Sequence, residues 1–292
     1  MTSEQRTRAR SVVVTGANSG IGLATVLELA RVGYDVIGTV RSDEKAELLR
    51  DEALARGLVV RSVLCEVTDA ASVERAFAEV AAMTGGGPWA VVNNAGYVQP
   101  GAVEEVGDDE ARRQLEVNLL APARICRAVL PGMRERGEGR IVNVSSIAGR
   151  VNFPFMGWYH ASKHALEALS DSMRMEVAQF GVKVILIEPG SFGTGVWAEG
   201  ASRLPVMDGS PYATAYGRAD LVTGSTGYLP DPVWVARSIR LALGTPMPLA
   251  RYLVGVDAVG ATVLDRVLPT VVSDWVKGVA TGVRSPLPWR RS

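Results

Sequence analysis

The chain has 292 residues, 47% of them apolar and 21% charged, with 31 basic residues (Lys and Arg) matched by 31 acidic ones (Asp and Glu). This apolar fraction excludes a disordered chain, and the absence of net charge argues against nucleic acid or an anionic membrane surface as a partner. The two cysteines form no Cys-x-x-Cys pair, which excludes a cysteine-rich zinc module and favours a reducing compartment. The start of the chain is polar and no run reaches about 20 apolar residues. We therefore expect a cytoplasmic protein with no targeting segment and no membrane span.

Short β-branched segments alternate with segments rich in Ala, Leu and Glu as far as Pro189-Gly190. The β-branched segments predict strands at residues 11–15, 34–40, 58–64, 88–93, 140–145 and 182–188. The segments between them predict helices at residues 21–32, 43–56, 69–83, 108–136 and 159–180, the fourth kinked or broken at Pro122. Beyond Gly190 the sequence predicts a long loop, a helix, a last strand and an amphipathic helix. These elements cover residues 191–230, 231–243, 251–254 and 259–279.

The predicted strands are continuous hydrophobic runs, as is typical of parallel strands buried on both faces. Repeated βαβ units of this kind predict an α/β fold with a doubly wound parallel sheet of Rossmann type. The sequence contains no linker, internal repeat or low-complexity tract, so we expect a single domain over residues 1–292. Residues 11–190 would form its Rossmann core, and residues 191–292 a substrate loop and C-terminal helices.

A glycine-rich loop follows the first predicted strand and opens the first predicted helix. Gly16 permits the tight turn, Gly20 lets the backbone approach a pyrophosphate, and Gly22 allows close packing of the helix. The helix N-terminus adds N–H donors and a partial positive charge, so the loop predicts a nucleotide-binding site. The other loop residues expected to contact the nucleotide are Asn18, Ser19 and Ile21.

Five motifs are similar, in sequence and in order, to those of the short-chain dehydrogenase/reductase family. They are Gly16-x-x-x-Gly20-x-Gly22, Asn93-Asn94-Ala95-Gly96, Ser145-Ser146, Tyr159-x-x-x-Lys163 and Pro189-Gly190. Together they span residues 11–195, each beside the strand or on the helix that the family pattern requires. The resemblance implies a Rossmann-type fold, a nicotinamide cofactor and hydride transfer between a carbonyl and an alcohol.

The end of the second predicted strand bears on the choice between NAD and NADP. NAD enzymes usually carry Asp or Glu there, which bonds the ribose 2′-OH. This chain instead has Val40 followed by Arg41. A guanidinium pairs well with a 2′-phosphate, and Ser42 is placed to add a hydrogen bond, so we expect NADP(H) in preference to NAD. The alternative is that Arg41 is a surface charge and the specificity is mixed.

The resemblance implies further contacts along the cofactor. Where the family often has Asp-Val beside the adenine, this chain has Glu66-Val67, a departure that leaves the adenine contact open. Thr194 matches a residue that bonds the nicotinamide carboxamide. The remaining residues implied to line the cofactor are Asn94, Ala95 and Gly96 on the adenosine side, and Pro189 and Gly190 at the turn after the sixth strand.

The catalytic group is expected on the helix predicted over 159–180. Tyr159 and Lys163 lie four residues apart, so both side chains project from one face. A phenol has a pKa of about 10, and a nearby ammonium lowers it by favouring the phenolate. The resemblance implies that Tyr159 is the general acid/base, and that Lys163 tunes it and holds the nicotinamide ribose. It also implies that Ser146, with Ser145 as the alternative, orients the substrate oxygen, and that Asn118 holds a water in a proton relay.

The two histidines of the chain are neighbours of this group. His160 and His164 have helical spacing but lack the intervening Glu of a zinc protease, so we expect no metal site. On a helix His160 points about 100° away from Tyr159, which favours a packing or surface role over acid/base catalysis.

Two segments are expected to flank the substrate. Residues 150–158 lie between the catalytic serine and tyrosine, and residues 196–216 form part of the long loop. Their large apolar and aromatic side chains favour a bulky apolar carbonyl or alcohol, although several could instead pack a small core within the loop. In residues 196–216 the large apolar and aromatic side chains are Trp197, Leu204, Met207, Tyr212 and Tyr216. The chain from residue 231 onward weakly resembles steroid- and retinol-type members of the family. The helix over 259–279 would pack on the core, line the pocket, dimerise or touch a membrane, in that order of preference.

These features together predict an NADP(H)-dependent oxidoreductase that interconverts a carbonyl and a secondary alcohol on a bulky apolar substrate. The family resemblance implies a homodimer or homotetramer. A non-catalytic NADP(H)-sensing regulator on the same fold is the alternative, but the complete Ser–Tyr–Lys set argues against it. A sugar-nucleotide epimerase or dehydratase would usually show Gly-x-x-Gly-x-x-Gly, unlike the spacing at Gly16, Gly20 and Gly22.

Overall fold

A computed structural model of the protein describes residues 10–194, 200, 209–216 and 229–284. Within these residues, seven parallel strands form one sheet in the order β3-β2-β1-β4-β5-β6-β7. The strands are β1 Ser11–Thr15, β2 Asp35–Val40, β3 Arg61–Leu64, β4 Ala90–Asn93, β5 Gly139–Val144, β6 Val182–Pro189 and β7 Arg251–Val254. The predicted doubly wound α/β fold is confirmed.

Helices connect the strands and cover both faces of the sheet. They are α1 Gly20–Arg31, α2 Asp43–Leu54, α3 Ala70–Thr84, α4 Asp108–Leu115, α5 Ala121–Arg136, α6 Gly157–Val177, α7 Val233–Gly244, α8 Val256–Val267 and α9 Thr270–Ala280. Short 3₁₀ turns at Ile147–Gly149 and Ala178–Phe180 flank α6.

The core has two layers because successive strand residues point to opposite faces. On β1, Val12 and Val14 pack with apolar residues of α1, α2 and α7. Val13, between them, packs on the other face with residues of α3, α5 and α6. All three valines are fully buried, as expected for parallel strands covered on both faces.

The strand order reverses between β1 and β4. These strands are neighbours, with Val12 opposite Ala90 and Val14 opposite Val92, yet the chain winds outward from them in opposite directions. In open parallel sheets, ligands bind at the carboxyl ends of the strands at such a switch point. The glycine loop after β1 and Asn94-Ala95-Gly96 after β4 meet here. A Cβ added to Gly16 would lie only 3.1 Å from the Ala95 Cα.

The predicted helix over 108–136 is broken, as the proline predicted. The Pro122 nitrogen carries no hydrogen, so it cannot donate to the Asn118 carbonyl one turn earlier. The chain instead forms a π-helical turn over Glu116–Leu120, and the Ala121 N–H donates to the Glu116 carbonyl five residues before it. This turn separates α4 from α5 and buries Asn118.

Several sequence-based boundaries differ from the structure by up to three residues, and two of the differences have a clear physical cause. The strand predicted from residue 58 begins only at Arg61, because the Leu58 N–H is still bonded to the Ala53 carbonyl of α2. The helix predicted over 259–279 is two helices, α8 and α9. Pro269 causes the break, since a proline disfavours helical geometry in the residue before it, and Leu268 has an extended ψ of 137°.

Helices α8 and α9 turn apolar side chains outward. Val256 and Val267 of α8 are 92% and 74% exposed, and Val271 of α9 is 78% exposed. The inward contacts of α9 are polar: Ser273 and Lys277 both bond the Asp265 carboxylate of α8. None of the described helices combines the length and the hydropathy needed to cross a bilayer.

Candidate active site

A cleft of about 690 Å³ opens at the carboxyl ends of the central strands. This volume lies within the range of small-molecule and cofactor sites. Most of the cofactor and catalytic residues predicted from the sequence line it. They are Gly16, Asn18, Ser19, Gly20, Ile21, Arg41, Glu66, Val67, Asn94, Ala95, Gly96, Ser146, Tyr159, Lys163, Pro189, Gly190 and Thr194. Three predicted residues, Gly22, Ser42 and Asn118, are not part of the lining.

The glycine loop forms a cradle whose three glycine positions leave little room for a side chain. Gly16 and Gly20 have φ angles of +65° and +51°, a region that favours glycine. A Cβ on Gly22 would overlap the Gly16 carbonyl oxygen and lie 2.6 Å from the Asn94 amide nitrogen. Gly22 therefore acts from behind the loop, by letting α1 start close to β1. The exposed backbone N–H groups at the start of α1 fit an anionic pyrophosphate.

Side chains from β1 and β4 hold this cradle in place. The Asn94 amide donates to the Thr15 carbonyl at 2.9 Å, and the Thr15 hydroxyl accepts from the Asn94 and Ala95 N–H groups at 3.0 and 2.9 Å. The Asn94 side chain is thus a strut between two loops. Asn94 thus supports the backbone that lines the cleft, and its contact with the adenosine side of a cofactor stays a prediction.

Arg41 lies at the rim of the cleft, directly after β2. It is exposed, and none of the described side chains pairs with its guanidinium. Such a group is available to a phosphate on the ligand. Ser42 instead caps the N-terminus of α2, where its hydroxyl helps to hold the pKa of Glu44 below its ordinary value.

Glu66 lines the cleft beyond β3, but its carboxylate is already engaged. Its Oε1 atom accepts from the Thr68 N–H at 3.1 Å and from the Thr68 hydroxyl at 2.8 Å. The carboxylate thus folds back onto its own loop. The shorter Asp of the family pattern is replaced here by a residue that first stabilises the turn between β3 and α3.

Ser146, Tyr159 and Lys163 meet at the other end of the cleft. Ser146 and Tyr159 both line this end, and the Lys163 Nζ lies 5.9 Å from the centre of the Tyr159 ring. The Lys163 ammonium also donates to the Val144 carbonyl at the end of β5 at 2.9 Å. The end of β5 and the turn after it therefore position Ser146, and two successive turns of α6 position Tyr159 and Lys163.

Burial dominates the ionisation of this group. It raises the pKa of Tyr159 above its ordinary value of 10.0, and the nearby Ser146 hydroxyl opposes this only in part. Burial also lowers the pKa of Lys163 from 10.5 to about 8, against the attraction of Glu167. The pKa rises because loss of water around Tyr159 destabilises the phenolate more than the Ser146 hydroxyl stabilises it. The expected lowering of the phenol pKa by the Lys163 ammonium stays a prediction.

Ser145 and Ser146 have different surroundings. The Ser146 hydroxyl faces Tyr159 and accepts from the Ala148 N–H at 3.1 Å. The Ser145 hydroxyl instead lies on the side of the turn that faces the Glu167 side chain of α6, and it makes no hydrogen bond within the described residues. This geometry favours Ser146 over Ser145 as the residue next to a substrate oxygen.

Asn118 lies behind the cleft, where its side-chain amide is fully used. Its Oδ1 accepts from the Tyr97 N–H at 3.1 Å, and its Nδ2 donates to the Tyr97 carbonyl at 3.0 Å and to the Ser162 hydroxyl at 3.2 Å. The observed contacts tie the loop after β4 to α6. The water-holding role implied by the family resemblance stays a prediction.

A buried charge network beneath Ser145 was not predicted. Arg251 of β7 bonds Glu167 at 3.1 Å and Glu188 of β6 at 3.2 Å, and Arg150 bonds Glu188 at 2.9 Å. Burial raises the pKa of Glu167 to about 7, in part offset by Ser145. No local motif marks such a network, because its members come from four separate chain segments.

The substrate side of the cleft is only partly described. Trp197, Leu204 and Met207 lie outside the described residues. Tyr212 and Tyr216 pack edge-on against Phe155, with ring centres 5.8 and 4.8 Å away. These two tyrosines therefore form a small aromatic core with the segment before Tyr159, which is the alternative that the sequence left open.

The sequence also missed contributions from α4 and α8. Arg112 and Arg113 of α4 line the cleft, although charged helix positions ordinarily indicate a solvent-facing side. Asp257 of α8 supports the turn after β6, since its carboxylate accepts from the Ser191 N–H at 2.7 Å. Only the tertiary arrangement of these helices reveals either contribution.

Comparison with known proteins agrees with this geometry. Residues 10–204 match the family model described as short chain dehydrogenase. An uncharacterized oxidoreductase, YusZ of Bacillus subtilis, is 39% identical over 209 residues, which cover 70% of this chain and 73% of that protein. An NADPH-dependent 3-dehydrocapnine reductase of Ornithobacterium rhinotracheale is 32% identical, over 84% of this chain and 88% of its own.

Solved structures show the same fold. A short-chain dehydrogenase from Streptomyces avermitilis has a TM-score of 0.77 and 37% identity, over 95% of this chain and all of its own. A metagenomic short-chain oxidoreductase in complex with NADP has a TM-score of 0.67 and 28% identity, over 84% and 96%. A Burkholderia phymatum protein in complex with NAD has a TM-score of 0.77 over 97% and 98%, and at 23% identity it supports the fold alone. Structural neighbours thus bind NADP or NAD, and the chain belongs to the short-chain dehydrogenase/reductase family of oxidoreductases.

Proposed function

We propose that this oxidoreductase uses NADP(H) to interconvert a carbonyl and a secondary alcohol on a bulky apolar substrate. The observation that carries the proposal is the grouping of Ser146, Tyr159 and Lys163 at one end of a cleft whose other end is the glycine cradle. A bound nicotinamide cofactor supplies or accepts a hydride in this family.

The chain's own residues manage the substrate oxygen and its proton. Because the pKa of Tyr159 is raised by burial, its phenol is protonated at neutral pH and can donate to a carbonyl oxygen. Ser146 holds that oxygen next to the phenol and stabilises the charge that develops there. The nearby ammonium of Lys163 favours the phenolate left after proton transfer, and the burial that depresses its own pKa also keeps water away.

Arg41 supports the preference for NADP(H). Its guanidinium is exposed at the rim, and the residue before it, Val40, provides no carboxylate to repel a 2′-phosphate or to bond a 2′-OH. A relative of this chain is named as NADPH-dependent, and a structural neighbour was solved with NADP. Gly16, Asn18 to Gly20, Asn94 to Gly96, Lys163 and Thr194 would hold the rest of the cofactor.

The central experiment compares the unmodified protein with Tyr159→Phe in NADPH oxidation driven by a panel of apolar ketones. Loss of the phenolic proton should lower kcat by at least about 10²-fold, while the Kd for NADPH changes little. Tyr34→Phe, which removes a hydroxyl far from the cleft beside Trp89, is the matched control. Turnover that survives in Tyr159→Phe would refute the catalytic assignment. Tight NADPH binding without oxidation by any ketone would favour the non-catalytic sensor.

A second titration tests the cofactor. Arg41→Ala should weaken NADPH binding by about tenfold or more and leave NADH binding nearly unchanged, because only the 2′-phosphate contact is removed. Preferential binding of NADH by the unmodified protein would refute the reading of Val40 and Arg41. The dimer or tetramer, the single domain and the cytoplasmic location stay predictions; sedimentation velocity tests the first of them.

A further inference from the structure

His160 is buried between the serine turn and the segment that leads to Tyr159. Its side chain is 5% exposed, and both ring nitrogens are in hydrogen-bond contact. Nδ1 lies 3.0 Å from the Ala148 carbonyl oxygen, and Nε2 lies 3.0 Å from the Phe153 backbone nitrogen. Because a carbonyl can only accept, Nδ1 carries the proton. Because Phe153 donates its N–H, Nε2 must be the unprotonated nitrogen.

The two contacts bracket the chain between the catalytic serine and tyrosine. Ala148 is held at both ends, since its N–H donates to the Ser146 hydroxyl at 3.1 Å and its carbonyl accepts from His160. Farther along, Phe155 has a φ of +66°, which is unfavourable for a side-chain-bearing residue and must be stabilised by its surroundings. The Phe155 carbonyl accepts from the Gly101 N–H at 2.8 Å, and the bond from Phe153 to His160 ties the same segment to α6.

We propose that His160 is a positioning residue: its neutral imidazole joins the turn that carries Ser146 to the segment 150–156, and so sets the distance between the Ser146 and Tyr159 hydroxyls. The inference rests on the proposed function, because it assigns His160 a role in the reaction of that pair. His160 itself does not contact the cleft, so it acts through Ala148 and Phe153.

This arrangement makes the positioning sensitive to acid. A protonated Nε2 would direct its hydrogen at the Phe153 N–H, and the contact would be lost. Burial lowers the pKa of His160 below 6.5; the bond to Ala148 opposes this shift, and His164 and Lys277 add to it. The ionisable groups around the ring are His164 and Tyr159 of α6, Lys277 of α9, and Asp265 of α8, which bonds Lys277. The neutral form is therefore the resting form at pH 7.

Three variants test the proposal. His160→Phe keeps a ring of similar shape but removes both hydrogen bonds. His160→Gln retains one donor and one acceptor on neighbouring atoms and cannot titrate. His164→Phe is the matched control, since it removes a histidine one turn away whose Nδ1 bonds the His160 backbone carbonyl at 3.0 Å.

We expect His160→Phe to lower kcat by about 10- to 100-fold with little change in the Kd for NADPH, since a small displacement of a reacting group has effects of this size. His160→Gln should restore most of kcat and should lose less activity than the unmodified protein between pH 7 and pH 5. His164→Phe should keep the kcat of the unmodified protein at pH 7. A His160→Phe protein with unchanged kcat, or a His160→Gln protein as impaired as His160→Phe, would overturn the proposal.

Amide hydrogen exchange provides a readout that needs no turnover. His160→Phe should speed exchange in residues 147–156, and His160→Gln should return it towards the original rate. If the protein reduces no ketone at all, the proposed function fails while this measurement still decides the geometry. Unchanged exchange in His160→Phe would refute the inference whatever the activity.

Discussion

Replacing Lys163 with methionine should remove activity and yet make the folded protein more stable at neutral pH. Burial lowers the pKa of this lysine from 10.5 to about 8, so the charged form costs the folded state about 3 kcal/mol at pH 7. Methionine also removes the hydrogen bond to the Val144 carbonyl, and this loss offsets about 1–2 kcal/mol of the stability gained by removing the buried charge. The expected result is a net gain of about 1–2 kcal/mol in the free energy of unfolding.

The pH dependence of this difference is the sharper test. For a lysine with a depressed folded-state pKa, the cost is fully present below pH 8 and disappears as the pH rises towards 10.5. Between pH 7 and pH 9.5, the free energy of unfolding of the unmodified protein should therefore rise by about 2 kcal/mol relative to that of Lys163→Met. Urea unfolding followed by tryptophan fluorescence at both pH values measures it, with Lys183→Met, an exposed lysine of β6, as the control. A stability difference that stays constant with pH would refute the assignment of a buried, charged Lys163.

Two further predictions concern the supports of the cleft. Gly22→Ala should destabilise the protein by about 1–3 kcal/mol and abolish tight NADPH binding, because the new methyl group overlaps the Gly16 carbonyl; Gly260→Ala, where an added Cβ meets nothing within 4 Å, should do neither. Asn118→Ala should lower the free energy of unfolding by about 2 kcal/mol, since the Tyr97 N–H and carbonyl both lose a buried partner. Unchanged urea midpoints for either variant would contradict these accounts.

The elements that the sequence predicted well are those whose signal is local. Strands β1 and β7 have the predicted bounds, because each is a short apolar run between polar or turn-forming residues. Pro122 likewise marked the break in the helix between β4 and β5. Pro269 carries the same kind of signal, and the error over 259–279 came from reading apolar periodicity across it.

The features that the sequence could not predict arise from contacts between segments that are far apart in the chain. The motifs predicted which residues meet in the cleft, but the burial that raises the pKa of Tyr159 is a property of the assembled core. Glu167 illustrates the same limit. Its neighbour in sequence, Leu166, is an ordinary core residue, whereas Glu167 itself meets arginines from two distant segments.

The contact between Asp257 and the turn after β6 limits how the C-terminal region can be exchanged among relatives. A Cβ on Gly190 would lie 2.5 Å from the Asp257 Oδ2, and the same carboxylate bonds the Ser191 N–H. A graft of residues 191–292 from another family member would carry in a new residue at 257 but keep Gly190 from the host. Chimeras made to alter substrate choice should therefore treat Gly190 and Asp257 as one unit, because a mismatch there would deform the cofactor turn before any new substrate could be tested.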